Sequence, residues 1–275
     1  MKGFVGRGHA DLVQEFTRYY PFQVIYRQLA LPPEEATTFQ RLAVAQMLIG
    51  GGYFLPRAIE ASKKLGEYFK AMIDQRRGRN GKDLVSLLVS AEVDGEKLSD
   101  DLVVSFLRQL INAGGDTTFR ETSNLLVGLL TNPDQLDAVR ADRKLVGPAI
   151  EEALRWEGPS AVIPRYVTRD VTLSGVHIPA GSFAELFFGV ANRDEKVFPD
   201  EPDKFNIFRQ RTRHFGFGYG PHLCIGQHLA RIEMTNALNA VLDRMPNVRL
   251  DPDKPPPVIR GRNLRYPKHL HVIYD

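Results

Sequence analysis

The chain has 275 residues, 43% of them hydrophobic, which is enough for one sizeable core or two smaller ones. Its 36 basic and 33 acidic side chains leave a formal net charge of +3, too even a balance for the concentrated basic face of a nucleic-acid binder. A single cysteine excludes an internal disulfide and fits a reducing compartment, no apolar run approaches the roughly 18 residues of a membrane span, and Met1-Lys2-Gly3-Phe4 opens no signal-peptide core, so a cytoplasmic location is expected.

The first two-thirds read mainly as helix. Leu12, Val13, Phe16 and Tyr19 share one helical face over Asp11 to Tyr20, and Pro21 is taken as the end of that helix. Pro32-Pro33 marks the next break, and Glu34 and Glu35 suit a first helical turn. Helices are predicted over Glu34–Ile49, Pro56–Gln75 and Asp83–Glu92, with the basic run from Arg76 to Lys82 read as a solvated loop. Asp94-Gly95 signals a turn. The longest helical pattern follows, from Ser99 to Leu130, capped by Ser99 or Asp100 and ended by Asn132-Pro133. Another helix starts at Pro148 and runs to Trp156. Beyond Gly158-Pro159 the pattern alternates like a strand from Tyr166 to Leu173, turns at Ser174-Gly175 and returns over Val176–Ile178. Pro179-Ala180-Gly181 is a second turn. Residues 194–223 form a long irregular segment, and such loops in compact domains are usually functional. A last long helix is predicted over Ile225–Met245, before a Pro-rich tail with short strands such as 271–274. The predicted class is mainly α with a small β part.

The strongest local signal is the run Phe217-Gly218-Tyr219-Gly220-Pro221-His222-Leu223-Cys224-Ile225-Gly226. Gly218 and Gly220 permit positive φ and a close approach of backbone to a flat ligand. Cys224 falls at a helix start, where free N–H groups and the helix dipole favour a thiolate, and Gly226 leaves room beside the sulfur. On the cysteine alone, a buried small hydrophobe is the plainer reading, and a nucleophilic thiol with His222 or His214 as base is a competitor. A second signal, Ala113-Gly114-Gly115-Asp116-Thr117-Thr118, sits midway along the longest helix. Two glycines there cost on the order of 1 kcal/mol each against alanine, so the run points to a functional weakening of the helix or to a close helix crossing. A third, Glu152-Ala153-Leu154-Arg155, puts opposite charges at i and i+3 on one face, a weak signal alone.

Together these runs resemble the cytochrome P-450 family, the soluble bacterial haem-thiolate monooxygenases. The cysteine loop resembles Phe-Gly-x-Gly-x-His-x-Cys-x-Gly, the helix run Ala/Gly-Gly-x-Asp/Glu-Thr-Thr/Ser, and the charge pair Glu-x-x-Arg. The resemblance implies the P-450 fold, haem b (iron protoporphyrin IX) with Cys224 as axial iron ligand, and dioxygen as co-substrate. It implies that Phe217, Gly218 and Gly226 shape the haem-binding loop, and that Arg165 and His222, with His214 as a further candidate, contact the haem propionates. Thr117 is expected to hydrogen-bond dioxygen and Asp116 to relay protons. Glu152 and Arg155 form a buried ion pair whose third member normally comes from a Pro-Glu-Arg-Phe-like stretch. Here that stretch is Pro202-Asp203-Lys204-Phe205, and Arg209 is a substitute for the missing arginine. Leu110, Asn112, Ala113, Ala161, Val162 and Ile163 are expected to face an apolar small-molecule substrate. A ferredoxin with an NAD(P)H-dependent ferredoxin reductase is the implied electron donor, docking on basic residues such as Arg211, Arg213 and Arg231.

The resemblance covers residues 1–275 as one domain matching the family's C-terminal two-thirds. The β-sheet, substrate roof and proximal helix of the N-terminal third are expected to be absent, as in a fragment or mis-started reading frame rather than a short relative. The expected activity is monooxygenation. The alternative is a non-catalytic haem-binding fragment or remnant, and a cysteine-dependent hydrolase is a distant third.

Overall fold

The computed structural model describes residues 3–46, 55–210 and 212–275. Strand β1 (His9–Asp11) runs into one π-helical turn, Val13–Thr17. Helix α1 (Tyr20–Gln28) carries Pro21 in its first turn, so Pro21 opens a helix instead of ending one. A first-turn proline has no intrahelical N–H to lose, and its fixed φ suits the helix. A 3-10 turn over Pro33–Glu35 leads into α2 (Ala36–Gln46); the predicted end at Ile49 lies outside the described residues. Helices α3 (Leu55–Arg76) and α4 (Leu84–Ser90) follow, the latter capped by Asp83, whose carboxylate accepts the Ser86 N–H at 3.2 Å. The hairpin β2 (Glu92–Val93) and β3 (Glu96–Lys97) turns on Asp94 and Gly95, at φ 54° and 83°.

Helix α5 (Asp100–Leu130) is capped by the Ser99 hydroxyl, which accepts the Leu102 N–H at 3.3 Å. Asn132-Pro133 ends it and also starts α6 (Pro133–Ala141), a helix the sequence pattern does not announce. Helix α7 (Val146–Glu157) precedes β4 (Val162–Tyr166), β5 (Val171–Leu173), β6 (Val176–Ile178) and β7 (Phe183–Phe187). The strand predicted over Tyr166–Leu173 is therefore two strands with different partners: β4 pairs with β7, and β5 with β6. Helix α8 (Phe188–Ala191), a 3-10 turn over Gly220–His222, and α9 (Gln227–Arg244) follow. The chain closes with β8 (Arg249–Leu250), β9 (Ile259–Arg260), β10 (Tyr266–Pro267) and β11 (His271–Ile273).

The residues divide into two compact units, Arg18–Asp116 and Met1–Thr17 with Thr117–Asp275. The first is built on an aromatic cluster in which the Phe39 ring meets Tyr26 and Phe69 edge-on at 5.5 and 5.7 Å. In the second, α7 buries Ala149, Ile150, Ala153 and Leu154 and packs on α9, which buries Met234, Ala237, Leu238 and Val241 at helical spacing. A three-stranded sheet, β1-β11-β8, ties the first strand to the last. Among the described residues no helix is long and apolar enough to cross a membrane.

Candidate active site

The turns of the cysteine loop are set by its backbone. Gly218 and Gly220 take φ of 76° and 68°, the left-handed region that the sequence pattern requires. The Gly218 N–H donates to the Phe215 carbonyl, and the Cys224 N–H donates to the Phe217 carbonyl at 2.9 Å, which closes the loop. Cys224 lies two positions before Gly226, the N-cap of α9, and its thiol is exposed. A methyl group on Gly226 would sit 3.9 Å from Sγ, so the glycine keeps the approach to sulfur clear. The reading of Cys224 as a buried small hydrophobe is thereby excluded. Around it, Leu223 and Ile225 are exposed, the latter to 82%, which leaves apolar surface beside the thiol. The Phe217 ring lies under the Arg231 guanidinium at 4.4 Å.

The charge pair is buried and does more than a surface pair could. Arg155 donates through Nε and Nη2 to both oxygens of Glu152, at 2.8 and 2.7 Å. Its remaining donors reach the carbonyls of Asn192, Pro202 and Lys204. Glu152 in turn accepts the Asn206 N–H at 2.8 Å. The pair thus pins three points of the irregular segment ahead of the cysteine. The third member is Arg209, whose Nε lies 3.5 Å from Glu152 Oε1 and whose other nitrogens bond the carbonyls of Asp200, Glu201 and Lys204. The Lys204 ammonium pairs instead with Glu201 at the surface.

The other site candidates divide. Arg165, on β4, bonds only the neighbouring Pro164 carbonyl, at 2.9 Å, and pairs with no carboxylate among the described residues. His222 is exposed in the 3-10 turn before Cys224. His214 is occupied on both ring nitrogens: Nδ1 accepts the Gly216 N–H at 3.1 Å and Nε2 lies 3.2 Å from Glu151. That carboxylate also binds Arg231 at 2.6 Å. Burial raises Glu151, but the His214 and Arg231 bonds outweigh it and hold the carboxyl down at about 2. Arg231 is thus engaged in structure, Arg213 is exposed over the Tyr219 ring at 4.4 Å, and Arg211 lies outside the described residues.

Helix α5 is unbroken through Gly114-Gly115-Asp116-Thr117. The glycines serve a crossing with α1 inside the first unit. A methyl on Gly114 would come within 2.6 Å of Ile25 Cδ1, and one on Gly115 would overlap the Phe22 ring. The predicted weakening of the helix is therefore answered by packing. Asp116 is buried and Thr117 half-buried; Leu110 is half-buried and Ala113 exposed, while Asn112 holds a buried Oδ1 without a hydrogen bond among the described residues. In the second unit Ala161 and Val162 are buried at the edge of a cleft of about 760 Å³ that also includes Phe187 and Val190, and Ile163 is half-buried.

Two carboxyls escaped the sequence reading. Glu121 is 2% exposed, neither of its oxygens has a hydrogen-bond partner among the described residues, and burial with the like charges of Glu157 and Glu151 pushes it well above the usual range. Burial pushes Glu233, on α9, up to about 8. Their helical positions look like ordinary acidic positions, and only burial distinguishes them.

A mainly helical chain that presents an exposed thiol on a glycine-turned loop ahead of a long helix, braced by a buried Glu–Arg–Arg cluster, defines a recognisable class. The Cytochrome P450 family model matches residues 54–271, and the chain belongs to the cytochrome P450 family, which uses haem b and dioxygen. It is 35% identical over 266 residues to the cytochrome P450 monooxygenase PikC of Streptomyces venezuelae, covering 92% of this chain and 62% of the relative. It is 39% identical over 253 residues to the steroid C26-monooxygenase of Mycobacterium tuberculosis H37Rv, covering 90% of this chain and 63% of the relative. The chain thus spans somewhat under two-thirds of the length of these two relatives. Among solved structures, CYP109E1 from Bacillus megaterium in complex with testosterone superposes with a TM-score of 0.92 at 29% identity, covering 100% of this chain and 75% of that one. The cytochrome P450 PksS of Bacillus subtilis 168 superposes equally well, at 30% identity, covering 100% and 71%.

Proposed function

We propose that this chain carries the haem-thiolate half of a monooxygenase site, in which the Cys224 sulfur would hold the haem iron. The observation that carries the reading is the exposed Cys224 thiol in a loop closed by its own backbone N–H on the Phe217 carbonyl, with Gly226 leaving the sulfur accessible. The residues present fit haem on the thiolate side. A soft sulfur donor stands clear, apolar Leu223 and Ile225 lie beside it, and Arg165 has no acidic partner among the described residues. When bound, haem supplies the activation of dioxygen and the insertion of one oxygen atom into the substrate.

The chain's own residues bind, orient and move protons. Cys224 would hold the iron through its sulfur, a ligand that supplies electron density when haem is bound. Arg165 and His222 would hold the haem propionates, and Phe217, Gly218 and Gly226 would shape the loop that receives the haem. His214 is left to Glu151, so it takes no propionate in this reading. The Thr117 hydroxyl and the Asp116 carboxylate hold and pass protons on the oxygen-binding side, which needs hydrogen-bond reach and not a large pKa shift. In the second unit Ala161, Val162 and Ile163 supply an apolar wall for the substrate. Electrons come from a ferredoxin and its NAD(P)H-dependent reductase, and Arg213 is the exposed cation nearest the loop in sequence that remains for docking. The single cysteine fits a cytoplasmic setting.

The test is turnover by the haem-loaded chain with a ferredoxin, its reductase, NADPH and testosterone, the molecule named with the Bacillus megaterium relative. The expected result is substrate-dependent NADPH oxidation with a hydroxylated product. Thr117→Ala should lower the product formed per NADPH by about tenfold or more. NADPH oxidation indifferent to substrate, with no hydroxylated product, would contradict the reading.

A further inference from the structure

Away from the cysteine, Asp11, His269 and His271 form a cluster whose ligand atoms all lie within 4.8 Å of one another. They meet because β1 pairs antiparallel with β11 and sets Asp11 directly opposite His271. Directly paired residues project from the same face of a sheet. The two-residue period carries His269 to that face as well, while Leu270 and Val272, at 0% and 1% exposure, turn into the core.

The carboxylate is held in place before any ligand arrives. Asp11 Oδ1 accepts backbone N–H groups from Val13 at 3.1 Å, Gln14 at 3.3 Å and Leu270 at 3.1 Å. Its other oxygen, Oδ2, lies 2.7 Å from His269 Nδ1. The His269 and His271 rings stack in parallel, with centroids 5.5 Å apart and planes 7° apart. An Asp–His pair alone would explain only His269. It leaves the His271 imidazole beside the same carboxylate with no side-chain hydrogen bond among the described residues.

We propose that Asp11, His269 and His271 form a divalent-cation site, suited to Zn²⁺, that staples the first strand to the last. Two imidazole nitrogens and one carboxylate oxygen are the donor set that borderline divalent ions take, with a fourth position left to water. The three N–H groups on Oδ1 supply the outer hydrogen bonds that orient a metal-binding carboxylate. Binding exchanges the Asp11–His269 hydrogen bond for metal bonds of about 2.0–2.2 Å, which the half-exposed His269 ring reaches by a small rotation.

The test is calorimetric titration of the metal-free, untagged chain with Zn²⁺, beside Co²⁺ titration read by visible absorption. Cys224→Ser is carried throughout so that the thiolate does not compete. The expected result is saturable binding of one ion per chain, weakened about tenfold or more in His269→Gln and in His271→Gln. Circular dichroism checks that both variants fold. Should either unfold, Zn²⁺ protection of His269 and His271 against diethyl pyrocarbonate, mapped by mass spectrometry in the chain without those changes, decides the matter. No saturable binding, undiminished affinity in both variants, or unprotected histidines would overturn the proposal.

Discussion

Glu152, Arg155 and Arg209 show why the energetic weight of a charged residue follows from burial and not from charge. Arg155 is 2% exposed and Glu152 5%. Removing either partner strands the other charge in the interior, whereas Lys204 stands in water beside Glu201. Arg155→Ala should therefore cost about 3–5 kcal/mol in urea unfolding. Arg209→Ala should cost about 1–3 kcal/mol, because it removes one of the two cations that face the buried Glu152 carboxylate. Lys204→Ala should change stability by no more than about 0.5 kcal/mol. Equal costs for the Lys204 and Arg209 variants would contradict the assignment of Arg209 as third member. Glu151 gives a pH signature of its own. Its carboxyl is held at about 2 in the fold against a reference of 4.5, so its stabilisation is complete above the reference value and is lost as pH falls toward 2. Glu151→Gln should be less stable than the parent by roughly 2 kcal/mol near neutrality, and the gap should close through that acid window. A gap independent of pH would show that the Glu151 charge is not what stabilises this cluster.

At the scale of elements, a glycine's reason is set by what crosses it. Gly114 and Gly115 read from sequence as a weakness in α5 or as a crossing point, and Ile25 and Phe22 supply the crossing. Gly115→Ala gains about 1 kcal/mol of helix propensity but forces its methyl against the Phe22 ring. Thermal melts should show a net destabilisation of roughly 1–2 kcal/mol, and relief by Phe22→Leu in the double variant. A more stable Gly115→Ala single variant would mean that the crossing tolerates a side chain. The cysteine loop was legible because its requirements are local: glycines at positive φ and a helix start after Gly226. Helix α6 was not, because Asn132-Pro133 is a stop and a start in the same two residues. The split of residues 166–173 between two hairpins was hidden for a different reason, since strand pairing is decided by partners elsewhere in the chain.

Over the whole chain, the mainly helical class with small sheets was legible from periodicity, and the family from the three motifs. The contacts that join distant segments were not. His214 meets Glu151 across 63 residues and Asp11 meets His269 across 258, and no pattern within either segment announces the meeting. The split of the described residues into two compact units within α5 also has no marker in composition. The proposal that Cys224 is the thiolate ligand to haem iron is local and chemical. The direct measurement is the carbon monoxide difference spectrum of the reduced, haem-loaded chain, with Cys224→Ser beside it. A red-shifted Soret band characteristic of thiolate ligation, absent from the Cys224→Ser chain, is the predicted result. No haem uptake, or the same band in both chains, would contradict it.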